Sequence, residues 1–315
     1  MRTKVVIIGG GLMGCGIAVT AALAGESVTI VESSAATRET LPTRVEALLE
    51  ELSVNELIDP AQKTKAAALI SCTESLEDGC AEAFFVIEAI VEKLEAKQRL
   101  FQELDQLLPT DIPIASNTSG LRITDIARLT SHPERTMTTH FWFPAHLVPL
   151  VEVVMSEYTD ETLAKWTYNT LSAWGKAPVL VRKDLPGQLA NRIFQAVIRE
   201  ASSIVEMGIA SPEDVDTAVK MGMGIRFPVW GPLEHVDAVG VDLCASVQNT
   251  VLPGISRAQE ANSCFTGMLE RGELGYKTGK GFYDWSIKDM DALAARRNDF
   301  IIHALKKIRS FQSSK

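Results

Sequence analysis

The chain has 315 residues, room for one large domain or two of ordinary size, and its 46% apolar and 23% charged residues are those of a soluble globular protein with ample core. A formal charge of -9 argues against nucleic acid and anionic membrane surfaces as partners. No apolar run reaches the length of a membrane span, and the five scattered cysteines lack the spacing of a disulfide framework or a zinc site.

The N-terminal strand expected at Lys4 to Ile8 runs directly into glycines, with no signal-peptide core, which points to a cytoplasmic protein. The strand enters Gly9-Gly10-Gly11-Leu12-Met13-Gly14, in which Gly9, Gly11 and Gly14 fill a GxGxxG pattern. A helix-friendly stretch follows from Cys15 to Ala24, then a second strand from Ser27 to Val31 with Glu32 at its end. The residue types follow from the geometry required. Gly9 permits the tight turn, Gly11 lets a pyrophosphate approach the backbone, and Gly14 lets the helix lie close on the strand. The helix N-terminus faces the phosphates. Glu32 accepts from the adenosine ribose hydroxyls and repels a 2′-phosphate, so NAD is expected over NADP. The competing reading is a glycine-rich turn in some other α/β protein.

Residues 35–68 read as two charged helices punctuated by Pro42 and Pro60, with Val45, Leu48, Leu49 and Leu52 at helical spacing. A buried strand is expected over Phe84 to Ile90, flanked by Glu88 and Glu92, and then an amphipathic helix through Lys97, Leu100, Phe101 and Leu104. The strand Ile112 to Ala115 delivers Ser116-Asn117-Thr118-Ser119-Gly120 to the carboxyl end of a parallel sheet, where open α/β folds bind ligands. The same residues would equally serve as a cap for a helix over Ile123 to Leu129. The run from Met137 to Val154 holds His140 and a lone acid, Glu152. Alternation puts Leu150, Glu152 and Val154 on one face, so the acid points where apolar residues point. An inward carboxylate needs a partner, and a His–Glu pair fixes an imidazole as a general base. A core histidine beside an unrelated rim acid remains the alternative on these residues alone.

A helix from about Asp160 to Trp174 and a strand from Pro178 to Val181 lead to the turn Asp184-Leu185-Pro186-Gly187. Beyond it the pattern is almost wholly helical, with Leu189, Ile193, Val197 and Ile204 at core spacing. The expected architecture is therefore α/β: a Rossmann-type NAD-binding domain over 1–185 and an all-α domain over 186–315. The last helix is expected to start at Ser286, with Met290, Leu293, Phe300, Ile301 and Leu305 on its apolar side.

With these residues in hand, the chain resembles the 3-hydroxyacyl-CoA dehydrogenase family over nearly its whole length. The motifs that carry the likeness are VVIIGGGLMGCGIA, VIEAIVEKLEAK, ASNTSGL, HFWFP, LVEVV, DLPGQLANR, GPLEHVDAVGVD and GYKTGKGFYDW, in family order. The resemblance implies an NAD domain, a helical second domain through which the protein forms a homodimer, and an active site between the two. It places the family's catalytic histidine on His140 and its partner acid on Glu152, its SNTS serine on Ser119, and its catalytic asparagine on Asn191. Cofactor contacts fall on Gly9, Gly11, Leu12, Met13, Gly14, Glu32, Glu92, Lys97, Ser119 and Lys277. Two departures stand out. Phe143 takes the place of an asparagine in the family's HFFNP, and GMGIRFPVW precedes GPLE in a lengthened segment. That segment, and LAARR near the end, are similar to the CoA-free branches, lambda-crystallin (an L-gulonate dehydrogenase) and carnitine dehydrogenase. KTGKGFYDW keeps the acyl-CoA ending.

The implied chemistry is oxidation of a secondary hydroxyl, with hydride passing to NAD and His140 taking the proton while Glu152 supports the imidazolium. Ser119 and Asn191 would hold the substrate oxygen, and Arg226 in the lengthened segment would suit a substrate carboxylate. The lean is to a small CoA-free 3-hydroxy acid, with 3-hydroxybutyryl-CoA as the alternative substrate. No metal is called for. A hydroxyacid or imine reductase would want N-x-x-x-K, where Asn191 is followed by Gln195 at that spacing. A non-catalytic NAD sensor or crystallin-like protein would be expected to lose some of Ser119, His140, Glu152 and Asn191. A thiol enzyme finds no histidine in the sequence context of a cysteine.

Overall fold

The computed structural model describes residues 3–312. Its first strand, β1 (Lys4–Ile8), is apolar throughout its interior and buried along four of its five residues, as a strand covered on both faces must be. In chain order follow α1 (Leu12–Leu23), β2 (Ser27–Val31), α2 (Ala35–Val54), α3 (Pro60–Ala68), β3 (Ile70–Thr73), α4 (Leu76–Cys80), β4 (Ala83–Glu88), α5 (Leu94–Leu107), β5 (Ile114–Ser116), α6 (Ile123–Ile126), β6 (Thr136–Phe141), β7 (Leu150–Met155), α7 (Glu161–Ala173) and β8 (Ala177–Val181). The eight strands form one sheet in the order β3-β2-β1-β4-β5-β6-β7-β8. All neighbours run parallel except β6 and β7. The carboxyl ends of β1, β2, β4 and β5 therefore point the same way, and ligand-binding residues of such a sheet gather there. On one side, Val6, Val86 and Ile114 pack against Phe101 and Leu104 of α5.

The antiparallel pair brings two ionisable side chains together. His140 and Glu152 lie directly opposite each other in the register of β6 and β7, and directly opposed side chains project from the same face. The chain reverses between them through Trp142 to Pro149.

Several expectations are corrected. Pro42 does not divide the first excursion: it lies inside α2, and the break comes at Asp59, whose side chain caps α3 with Pro60 at its first position. The edge strand β3 and the short α4 had no expected counterpart. The stretch Ser116 to Gly120 is not a helix cap, because α6 starts after Arg122 and its first-turn Thr124 N–H is taken by the Asp184 carboxylate.

Packing divides the chain after Ala190. The second unit is helical: α8 (Ala190–Glu206, entering from the first unit), α9 (Pro212–Ala218), a π-helical turn Val219–Gly224, α10 (Pro232–Val239), α11 (Val241–Val251), α12 (Ser263–Glu270) and α13 (Met290–Gln312). Two isolated β-bridges link Gly275, Lys280 and Asp284. The last helix starts later than expected, since the Asp289 carboxylate accepts from the Ala292 N–H, whereas Ser286 turns to Asp284. Its buried side also differs: Ile302 is buried and Phe300 is 63% exposed.

Candidate active site

The turn between β1 and α1 has the geometry that could hold a phosphate. Gly9 has φ +108°, in the region that favours glycine. A Cβ on Gly14 would lie 1.9 Å from the Gly9 carbonyl oxygen, so nothing larger fits where α1 crosses β1. A Cβ on Gly11 would meet nothing within 4 Å, and no side chain caps the start of α1. Leu12 is exposed and Met13 half-buried. Unclaimed space at a helix N-terminus with no side-chain acceptor fits the pyrophosphate of a dinucleotide.

Glu32 stands at the end of β2 with both carboxylate oxygens already receiving backbone donors, Gly10 N–H and Ser34 N–H, each at 2.8 Å. Each oxygen keeps a second lone pair for a ribose hydroxyl. Two arginines of α2 come close to this acid, which the adjacent serines did not foretell. The Arg38 guanidinium donates to the carbonyls of Glu32 and Ser33 and pairs with Glu74 at 2.6 Å. Arg44 donates to the Gly10 carbonyl at 3.2 Å.

Beyond β4 lies a second polar cluster. Glu88 is fully buried, and its carboxylate accepts from Lys97 Nζ (2.6 Å), Ser116 Oγ (2.6 Å) and the Ile90 N–H (2.7 Å). Lys97, only 1% exposed, also reaches Glu92 at 3.2 Å. The Glu92 carboxylate accepts from Thr118 Oγ1 and from the backbone N–H groups of Ser119 and Gly120. Burial would raise the Glu92 pKa, but the Thr118 hydroxyl and the Lys97 ammonium together hold it below its ordinary value. Ser119 is exposed at the carboxyl end of the sheet, next to this cluster.

Across β6 and β7, His140 Nδ1 and Glu152 Oε2 are 2.7 Å apart, with His140 7% exposed and Glu152 fully buried. The same Oε2 accepts from the Trp142 indole Nε1–H at 3.1 Å, while Oε1 accepts from the Leu189 and Ala190 N–H groups, each at 2.8 Å. Burial alone would raise this carboxyl. The four donors, His140 foremost and then Ala190, Trp142 and Leu189, instead bring it down to about 2. An ionised Glu152 accepts a proton-bearing Nδ1, which leaves Nε2 of His140 as the lone-pair nitrogen.

Of the other expected residues, Asn191, Arg226 and Lys277 belong to the second unit. Asn191 is the second residue of α8 and is half-buried. Arg226 is exposed just past the π-helical turn, its Nε donating to the Gly222 carbonyl at 3.2 Å. Lys277 is exposed on the 3-10 turn Tyr276–Thr278. Phe143, in place of the family asparagine, is 52% exposed.

Sequence reasoning missed the residues that hold these groups. Asn117 Oδ1 accepts from the Phe141 N–H at the end of β6, and Gln188 Nε2 donates to the Thr118 carbonyl. Lys176 Nζ donates to the carbonyls of Ala145 and Val148, fastening the loop after His140. Only Trp142 left a signal, since an indole N–H next to an inward acid needs an acceptor when buried.

Residues 4–185 match the family described as 3-hydroxyacyl-CoA dehydrogenase, NAD binding domain, and residues 187–285 match its C-terminal domain. A 5-formyl-3-hydroxy-2-methylpyridine 4-carboxylate 5-dehydrogenase from Mesorhizobium japonicum is 30% identical over 301 residues, 94% of this chain and 95% of the relative. A 3-hydroxybutyryl-CoA dehydrogenase from Bradyrhizobium diazoefficiens is 35% identical over 283 residues, 90% of this chain and 95% of the relative. A solved structure of a 5-formyl-3-hydroxy-2-methylpyridine 4-carboxylic acid 5-dehydrogenase, an NAD+-dependent dismutase, superposes with a TM-score of 0.90 at 28% identity, covering 98% of this chain and 99% of that one. The chain belongs to the 3-hydroxyacyl-CoA dehydrogenase family, NAD-dependent oxidoreductases that act on the CH–OH group of their donors.

Proposed function

We propose that this enzyme oxidises the secondary hydroxyl of a compact carboxylate that carries no CoA, using His140 as general base and Glu152 as its partner. The observation that carries the reading is the buried cross-strand pair, 2.7 Å between His140 Nδ1 and Glu152 Oε2. NAD supplies the hydride acceptor. His140 Nε2 takes the hydroxyl proton, and ionised Glu152 stabilises the imidazolium that results. Ser119 and Asn191 position the substrate oxygen, while Gly9, Gly11, Leu12, Met13, Gly14, Glu32, Glu92 and Lys277 bind the cofactor. Lys97 acts through the carboxylates of Glu88 and Glu92, since its ammonium is committed to both. In this scheme residues 1–185 bind NAD, and residues 186–315 supply substrate contacts and the dimer interface, in the cytoplasm.

The substrate preference rests on charge. A CoA nucleotide needs free cations, yet two of the four on the excursion are committed, Lys63 of α3 to Glu46 and Glu50, each at 2.5 Å, and Arg38 to Glu74. The likeness to the pyridine carboxylate dehydrogenase over 98% of the chain favours the same side. The 35% identity to a 3-hydroxybutyryl-CoA dehydrogenase favours the thioester as second reading. Comparing kcat/KM for 3-hydroxybutyryl-CoA and for free 3-hydroxy acids separates them. With the carboxylate reading, Arg226→Ala lowers kcat/KM for the free acids by roughly tenfold or more, the worth of a charge-assisted hydrogen bond. A strong thioester preference that Arg226→Ala leaves alone sinks it.

The assembly proposed is a homodimer through the second unit. Helices α10 and α11 bury no residue within the chain, and Val239, Val241, Leu243, Val247, Val251 and Leu252 are exposed on and just beyond them. Such a run of apolar surface calls for a partner surface. Sedimentation equilibrium is expected to give twice the chain mass, and a monomer at micromolar concentration would contradict the assignment.

A further inference from the structure

The Glu152 carboxylate has about four acceptor sites, and four donors surround it: His140 and Trp142 at Oε2, Leu189 and Ala190 at Oε1. Three belong to groups that any chain with this backbone and dyad would supply. The fourth is a side-chain donor, the Trp142 indole, which a phenylalanine at residue 142 would not supply. The indole also packs on the imidazole it influences, with ring centroids 5.6 Å apart and planes inclined at 48°.

We propose that Trp142 is a positioning residue that sets the base strength of His140 by sharing Glu152 Oε2 with it. This rests on the reading of His140 as the base. A second donor at Oε2 draws negative charge away from the imidazole's side, so the carboxylate supports the imidazolium less strongly than an unshared one would. The indole simultaneously limits rotation of the carboxylate about its last bond, keeping Oε2 on Nδ1. A filler of the gap beside His140 would do neither.

Charged groups on the neighbouring strands and at their ends have partners of their own. Glu88 and Lys97 pair with each other beyond β5, whose Ser116 turns its hydroxyl to Glu88. Asp184, after β8, accepts from the Thr124 N–H. Lys176, before β8, donates to two carbonyls and lies 5.9 Å from the Phe141 ring. The β8 residue opposite Glu152 is Val179, which carries no charge.

The test is the pH dependence of kcat/KM in both directions for wild type and Trp142→Phe, which keeps a ring and removes the donor. Oxidation requires neutral His140 and reduction the imidazolium. Loss of the indole N–H is expected to move the acid limb of oxidation and the alkaline limb of reduction upward together, by roughly 0.5–1 pH unit. Both limbs unmoved in a folded Trp142→Phe enzyme overturn the proposal, and so does a downward move. A limb that survives in the residual turnover of His140→Ala overturns the base reading as well, so the two failures are distinguishable. Should Trp142→Phe not fold, the wild-type indole N–H resonance serves. It is expected to titrate with the same midpoint as the His140 ring, and an indole resonance indifferent to that midpoint overturns the proposal.

Discussion

His140→Ala is expected to lower kcat by roughly a hundredfold to ten-thousandfold, the usual contribution of a general base, with NAD affinity nearly unchanged. The separation follows from where the groups sit. The proposed cofactor cradle is the β1–α1 turn with Glu32 at the end of β2, whereas His140 lies on β6, across β1, β4 and β5 in the sheet. Removing the imidazole leaves the cradle's hydrogen bonds in place. Calorimetric titration with NAD and steady-state turnover measure the two effects independently. A matching loss of both would mean that His140 supports the fold or the cofactor.

Glu152→Gln carries the second large effect, a fall in kcat of roughly a thousandfold or more, comparable to other changes that leave a catalytic histidine in the wrong tautomer. An amide has one oxygen and one NH2, and the site offers donors to both sides. If the oxygen serves the Leu189 and Ala190 N–H groups, the NH2 faces His140 and forces the proton onto Nε2, and it also opposes the Trp142 N–H. If the oxygen serves His140 and Trp142, the NH2 opposes two backbone donors. Either orientation loses the negative charge. The stability consequence has a definite sign. Glu152 is held at about 2 against an ordinary 4.5, so its contribution is complete above the ordinary carboxylate range and is lost as pH falls toward 2. Glu152→Gln should flatten that part of the acid-unfolding curve. Near-wild-type kcat in Glu152→Gln would remove the dyad from the mechanism.

The parts of this site that were legible in the sequence are those tied to chain-local patterns. Gly9, Gly11, Gly14 and Glu32 announce themselves because a tight turn, a close crossing and a strand-end acid each restrict residue type. Glu152 stood out as a carboxylate amid apolar alternation, with His140 upstream. What alternation did not reveal is that the run is two antiparallel strands in which the residues are directly opposed. Both faces of β7 are buried, so the acid was marked by its charge and not by its face. The short edge strand β3, ISCT, escaped because two of its four residues are exposed and none is strongly strand-forming except Ile70 and Thr73. The commitment of Lys97 to Glu88 and Glu92 ties α5 to the end of β4 and the loop between them, and no spacing rule encodes it. Pro42 misled because a proline in mid-helix usually ends the helix, whereas α2 packs Leu41, Val45, Leu49 and Leu52 into the core on both sides of it.

The claim that His140 and Glu152 act as one unit is tested most directly by a double-mutant cycle on kcat with His140→Ala, Glu152→Gln and the combined variant. Groups that work through one another are strongly non-additive. Adding Glu152→Gln to His140→Ala is expected to cost almost nothing further, because the carboxylate has no imidazole left to orient. Full additivity of the two losses, each multiplying the other, would contradict it.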